Sequence, residues 1–165
     1  MRYLICVVAA GLSIWPAFAQ GVDETGEGWK DVVVRDGMTD KIEAHAFIEN
    51  SSGRLAFICG QGDKGFIVIA EPRKYLGTTS RYVLRDTYIR FDDAPSIMGS
   101  WKYVDGYAVP YSRREMQRIT GATLTAHRVR IRLESFDRSA IDLDFELTGA
   151  ASSLRSAAAT CGFTI

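Results

Sequence analysis

Six residues that follow an apolar run, Gly60-Gln61-Gly62-Asp63-Lys64-Gly65, fit the G-x-G-x-x-G pattern of a dinucleotide-binding loop. Such a loop works where it joins a strand to a helix, because the helix N-terminus and its free amides hold the pyrophosphate. Here a β-branched run follows, Phe66-Ile67-Val68-Ile69-Ala70, and Pro72 comes soon after. The βαβ context is missing, so the glycines read as a hairpin turn and no cofactor is expected. Cys59, directly before them, carries the stronger chemical claim. Of three cysteines, Cys6 lies in an apolar amino-terminal stretch, and Cys59 and Cys161 remain as an even pair. In an exported chain such a pair is most simply a disulfide. Closing a loop of about 100 residues, it contributes about 4 to 5 kcal/mol on chain-entropy grounds. The rival reading is two free thiols or a metal pair. With only His45 and His127 available, a Cys2His2 zinc site lacks the usual close ligand spacing.

Other reactive groups fall short of a constellation. No G-x-S-x-G element supplies a nucleophile elbow. His45 and His127 each stand on an expected strand, where a histidine is more often a surface or satisfied core residue than a base. Asp92-Asp93 and the Asp36 to Asp40 segment could provide paired carboxylates for acid-base or calcium chemistry. Neither has calcium-loop spacing, and adjacent carboxylates on a strand point to opposite faces. Aromatic residues crowd the middle of the chain, and Trp101, Tyr103 and Tyr107 share one short hairpin. An aromatic strip left exposed there would suit partner binding, which makes these three the candidate contact residues, while core packing accounts at least as well for each one taken singly.

The elements that must position these groups begin with an export signal. Arg2, the apolar Tyr3 to Trp15 and the small-x-small Ala17-Phe18-Ala19 predict a signal over 1–19, cut before Gln20. The apolar stretch is shorter than the roughly 20 residues that span a bilayer, so no stable membrane insertion is expected after cleavage. A polar leader follows over 20–28, and the rest, 29–165, suits a single β-rich domain. The whole chain has 20 basic and 20 acidic residues, and Arg2 leaves with the signal. That balance offers no electrostatic case for nucleic acid or an anionic membrane surface.

Short apolar or alternating runs separated by turn residues predict a fold that is α+β and mainly antiparallel β, a sandwich or curved sheet. Strands are expected at Trp29–Arg35, Ile42–Ile48, Arg54–Cys59, Gly65–Ala70, Tyr82–Arg85 and Tyr88–Phe91. Asp105-Gly106 predicts a type I′ hairpin between Trp101–Val104 and Tyr107–Val109. A capping box at Ser112 and Glu115 opens a short helix over 113–120, which Gly121 can close. Folding back about Asp137 sets Arg128, Arg130 and Arg132 opposite Glu146, Asp144 and Asp142. In that register the apolar residues between them meet on the other face. An Ala-rich helix is expected over 150–161, with Cys161 at its end.

These landmarks resemble the type VI secretion-associated VasI/TagO-like family of small exported proteins. The likeness lies in Trp29 with the Asp36 to Asp40 segment, "LAFIC" at Leu55 to Cys59, "KYL" at Lys74 to Leu76 and "YIRFDD" at Tyr88 to Asp93. Trp101 and the ending "DFELTG", Leu154 and "CGF" extend it. Here Cys59 runs into a Gly-rich turn, and Phe163 stands where the family commonly has Trp. The resemblance implies an exported accessory protein without established catalytic residues. It agrees with the residue-level expectation of a periplasmic or secreted, non-enzymatic protein that binds another protein or an envelope component. The alternatives are a periplasmic inhibitor of a hydrolase such as lysozyme, and a hydrolase built on the carboxylates near Asp92.

Overall fold

The computed structural model describes residues 28–74, 76–77, 83–104 and 106–165; the expected signal, most of the leader, Tyr82 and Asp105 lie outside the described residues. In chain order the elements are β1 Trp29–Arg35, β2 Ile42–Glu49, β3 Gly53–Gly60, β4 Ile67–Pro72, β5 Leu84–Phe91, β6 Ile97–Val104 and β7 Tyr107–Pro110. Then come α1 Arg113–Thr123, β8 Arg128–Glu134, β9 Ala140–Glu146 and α2 Ala150–Cys161. The strands form one antiparallel sheet in the order β1-β2-β3-β4-β7-β6-β5-β8-β9. The sheet curves until its far end meets the β2–β3 turn. Asn50 Nδ2 donates to the carbonyl of Asp144 at 2.7 Å, and the Asp144 amide donates to Ser52 Oγ.

The sheet has an inner and an outer face because side chains alternate along each strand. Ala44, Ala46, Leu55, Phe57, Cys59, Val68, Val129, Ile131, Leu143 and Phe145 point inward and are buried. Both helices lie on this inner side. Helix α2 packs on β1, β2 and β3 through Ala150, Leu154, Ala157 and Ala158. Small residues on both surfaces, with Ala44 and Ala46 facing the helical alanines, let the backbones approach closely. Gly149 and Gly162 flank the helix in the left-handed conformation that glycine adopts at least cost.

The expected register of β8 and β9 is observed: Arg128 faces Glu146, Arg130 faces Asp144 and Arg132 faces Asp142. Elsewhere tertiary packing moves the boundaries. The two short strands expected at 82–85 and 88–91 are one strand, β5, whose middle residue Thr87 is buried and lies 3.2 Å from Tyr103 Oη. Strand β6 begins at Ile97, earlier than expected, because Ile97 pairs with Ile89 of β5. Gly121 does not end α1. The helix runs on to Thr123, whose buried hydroxyl donates to the Ile119 carbonyl, and Leu124 follows in a right-handed conformation. Half of the capping box forms: the Glu115 amide donates to Ser112 Oγ, while the Glu115 carboxylate turns inward to the Trp101 indole.

Candidate functional site

Cys59 and Cys161 are joined, with Cα atoms 6.2 Å apart and a separation of 102 positions in sequence. The glycines after Cys59 form the turn from β3 to β4. Gly62 adopts φ +88 and its amide donates to the Cys161 carbonyl, so this turn and the end of α2 are also joined through the backbone.

The expected aromatic strip is not formed. Trp101 and Tyr103 point inward and are 0% and 1% exposed, and only Tyr107 lies on the outer face, half-buried. Their environments explain the placement. The Trp101 indole N–H donates to Glu115 at 3.0 Å, and the Tyr103 hydroxyl accepts from the Glu134 amide at 2.9 Å. Burial raises the Tyr103 pKa, against the opposing effect of its hydrogen bond with Thr87. The alternating Lys102 carried the missed signal: a lysine on the outer face puts its two neighbours inside.

The candidate carboxylates are held by backbone. Asp92 Oδ1 accepts from the amides of His127 and Arg128, both at 2.9 Å, while Asp93 is fully exposed beside Arg90. Asp36 accepts from the Thr39 and Met38 amides, and these bonds hold its pKa below the usual carboxylate value. His127 is exposed. Among the described residues no three His, Cys, Asp or Glu side chains cluster to hold a metal ion, and no helix is long and apolar enough to cross a membrane.

The outer face divides into two halves of different chemistry. On β5, β8 and β9 a groove of about 690 Å³ is lined by Tyr88, Arg90, Arg130, Arg132, Asp142 and Asp144. Arg132 grips Asp142 with two hydrogen bonds of 2.6 and 2.8 Å. Arg128 takes Asp144 in the same two-pronged way and lies 3.9 Å from Glu146, its direct cross-strand neighbour. The twist of the sheet brings the diagonal carboxylate closer than the one opposite. These bonds raise the pKa of Arg128 and Arg132 and lower that of Asp142. Arg130 shares Asp144 at 3.6 Å. Each cation in the row therefore has a carboxylate, which leaves little charge to attract an outside anion.

On β1 to β4 the outer face is apolar. Residues directly opposite across strands share a face. One row runs Val32, His45, Ile58, Ile67, and the next runs Lys30, Phe47, Ala56, Ile69. A charged row, Glu49, Arg54 and Glu71, borders them. The Arg54 guanidinium sits 3.9 Å above the Phe47 ring centre, a favourable cation–π contact. Ile67 is 47% exposed and Val34, farther along β1, 45%. In the middle, His45 Nε2 is buried and lacks a hydrogen bond, although the Glu43 carboxylate is 3.5 Å away; Arg54 Nε is buried without a partner as well.

This half was not identified from the sequence. The signal was the uninterrupted apolar character of Val32-Val33-Val34, Phe57-Ile58 and Ile67-Val68-Ile69. Half-exposed antiparallel strands normally alternate, whereas unbroken runs mark strands covered on both faces. Comparison with known proteins finds no matching family model, no matching curated protein and no matching solved structure.

Proposed function

We propose that this chain is an exported, non-enzymatic binding protein that docks a protein of the cell envelope, or of a type VI secretion apparatus, on the outer face of β1 to β4. The observation that carries the reading is the apolar surface of Val32, Phe47, Ile58, Ile67 and Ile69, with Ile67 exposed and the others half-buried, which no helix or strand among the described residues covers while both helices lie inside. An apolar centre with a charged border is the common anatomy of a protein interface. The Arg54 guanidinium over the Phe47 ring, with Glu49 and Glu71 on either side of it, supplies the charged border. The partner chemistry that fits is a largely apolar patch whose rim carries charges complementary to Glu49, Arg54 and Glu71. The carboxylates of a would-be hydrolase site support the non-enzymatic reading, because Asp92 and Asp36 already accept backbone amides. The signal segment and the family resemblance support export and the secretion context.

The test is site-specific photo-cross-linking in envelope extracts, with the probe at Ile67 or Val34 and a control probe at Arg155, exposed on α2. Adducts to one protein from the β-face positions, absent from the control, are the expected result. Identical labelling from all three positions, or none from the face, would sink the proposal.

A further inference from the structure

Among the described residues strand β1 is one of the two edges of the sheet, with no strand paired on its outer side, and its sequence is complementary to itself. We propose that two copies of this chain pair through β1 as a symmetric antiparallel dimer centred on Val33, joining two nine-stranded sheets into one. The direction of the backbone groups comes first. The Asp36 amide donates to the Lys41 carbonyl. In an antiparallel ladder the N–H and C=O of one residue face the same neighbour, and successive residues alternate. Val32 and Val34 therefore turn their amides to β2, and Asp31, Val33 and Arg35 present theirs outward.

The register follows from the side chains. A two-fold axis at Val33 sets that residue against its own copy and Asp31 against Arg35 of the second copy, and by symmetry Arg35 against Asp31. Each of these pairs consists of residues with outward backbone groups, so each can exchange both ladder hydrogen bonds. On the outer face Val32 meets Val34 of the other copy. Moving the axis to Val32 sets Arg35 against Trp29 and Lys30 against Val34. Moving it to Val34 sets Val33 against Arg35. Only the Val33 register matches opposite charges and buries valine against valine.

Among the described residues nothing along β1 blocks such pairing. Edge strands are usually protected by proline, a bulge or charges that repel a second edge. Strand β1 has no proline, and its pairing with β2 runs without a bulge from Trp29 to Arg35. Val33 and Val34 are 50% and 45% exposed. The charges that would discourage other partners attract across this axis. Arg35 lies only 3.6 Å from Asp40 within its own chain, both side chains being largely exposed, so that contact yields readily. Pairing would also bring the two outer apolar faces side by side. The proposal stands apart from the docking reading, which concerns the face and not the edge.

Sedimentation velocity of the purified protein over a concentration series up to about 1 mM tests it. A monomer–dimer equilibrium is expected, with Asp31→Arg alone and Arg35→Asp alone each weakening the dimer about tenfold or more. The double variant Asp31→Arg/Arg35→Asp restores the opposite pairs and with them the dimer. Val33→Pro removes an outward amide at the axis and is expected to give monomer with a native circular dichroism spectrum. A monomer at every concentration overturns the proposal. So does a dimer that the single reversals leave intact or the double reversal fails to restore.

Discussion

Glu115 ties the start of α1 to strand β6. Its amide is capped by Ser112, its carboxylate takes the Trp101 indole N–H, and its Oε1 occupies the space beside Gly99. A Cβ on Gly99 would stand 1.7 Å from that oxygen, so Gly99→Ala must push the carboxylate away and leave a buried indole donor unpaired. The expected cost is about 1 to 3 kcal/mol, read as a lower urea midpoint; an unchanged midpoint would show that Glu115 relaxes without losing Trp101. Asp137 offers a residue-scale test with pH. Its carboxylate accepts from the Ser135 hydroxyl and the Ser139 amide, which bring its pKa down to about 2 from 3.8. A depressed folded-state pKa means that the stabilisation is fully present above the unfolded value and is lost as pH falls through the folded one. The stability gap between the native protein and Asp137→Asn is therefore expected above about pH 4 and to shrink toward pH 2. Denaturant titrations at pH 5 and pH 2.5 with an equal gap would contradict it.

At the scale of elements, the disulfide fastens α2 to β3 across a separation of 102 residues. For a loop of that length, restricting the unfolded chain contributes about 4 to 5 kcal/mol. The double variant Cys59→Ala/Cys161→Ala is expected to lose about that much, with the amides of α2 the first to lose protection in hydrogen exchange. Protection of α2 equal to that of β8 and β9 would mean that alanine packing on β2 holds the helix unaided. Helix α2 was legible in the sequence, because its alanine content and Gly162 agree with its tertiary place. The β8–β9 ladder was legible because two patterns, apolar alternation and opposite charges, select the same register. The end of α1 was not: Gly121 suggests a stop, but burial of Ile119, Thr120 and Thr123 extends the helix past it. The faces of Trp101 and Tyr103 stayed open in the sequence because aromatic residues suit an interface as well as a core, and only the parity set by Lys102 separates the two.

For the molecule as a whole, the unusual feature is that both helices cover one side of the sheet. An antiparallel sheet can leave its other side in water when that side is polar, and the β5, β8 and β9 half meets this condition with its arginines and aspartates. The β1 to β4 half does not. This asymmetry was partly hidden in the sequence because an unbroken apolar run does not reveal whether its second face meets a helix or solvent. Equal numbers of acidic and basic residues in the chain also mean that net charge does little to keep two such surfaces apart. The native protein is therefore expected to bind a hydrophobic dye such as anilinonaphthalene sulfonate at neutral pH, without the loss of near-ultraviolet circular dichroism that marks a molten state. Val34→Asp/Ile67→Asp changes two roughly half-exposed positions, so stability should shift by no more than about 1 kcal/mol, while dye fluorescence falls toward background. If fluorescence persists in that variant, the dye reports another surface, such as the exposed Tyr88 and Met98 pair of β5 and β6. If the native protein binds no dye, the bordering charges of Lys30, Glu49, Arg54 and Glu71 screen the apolar rows, and docking there would have to begin by moving Arg54 off Phe47.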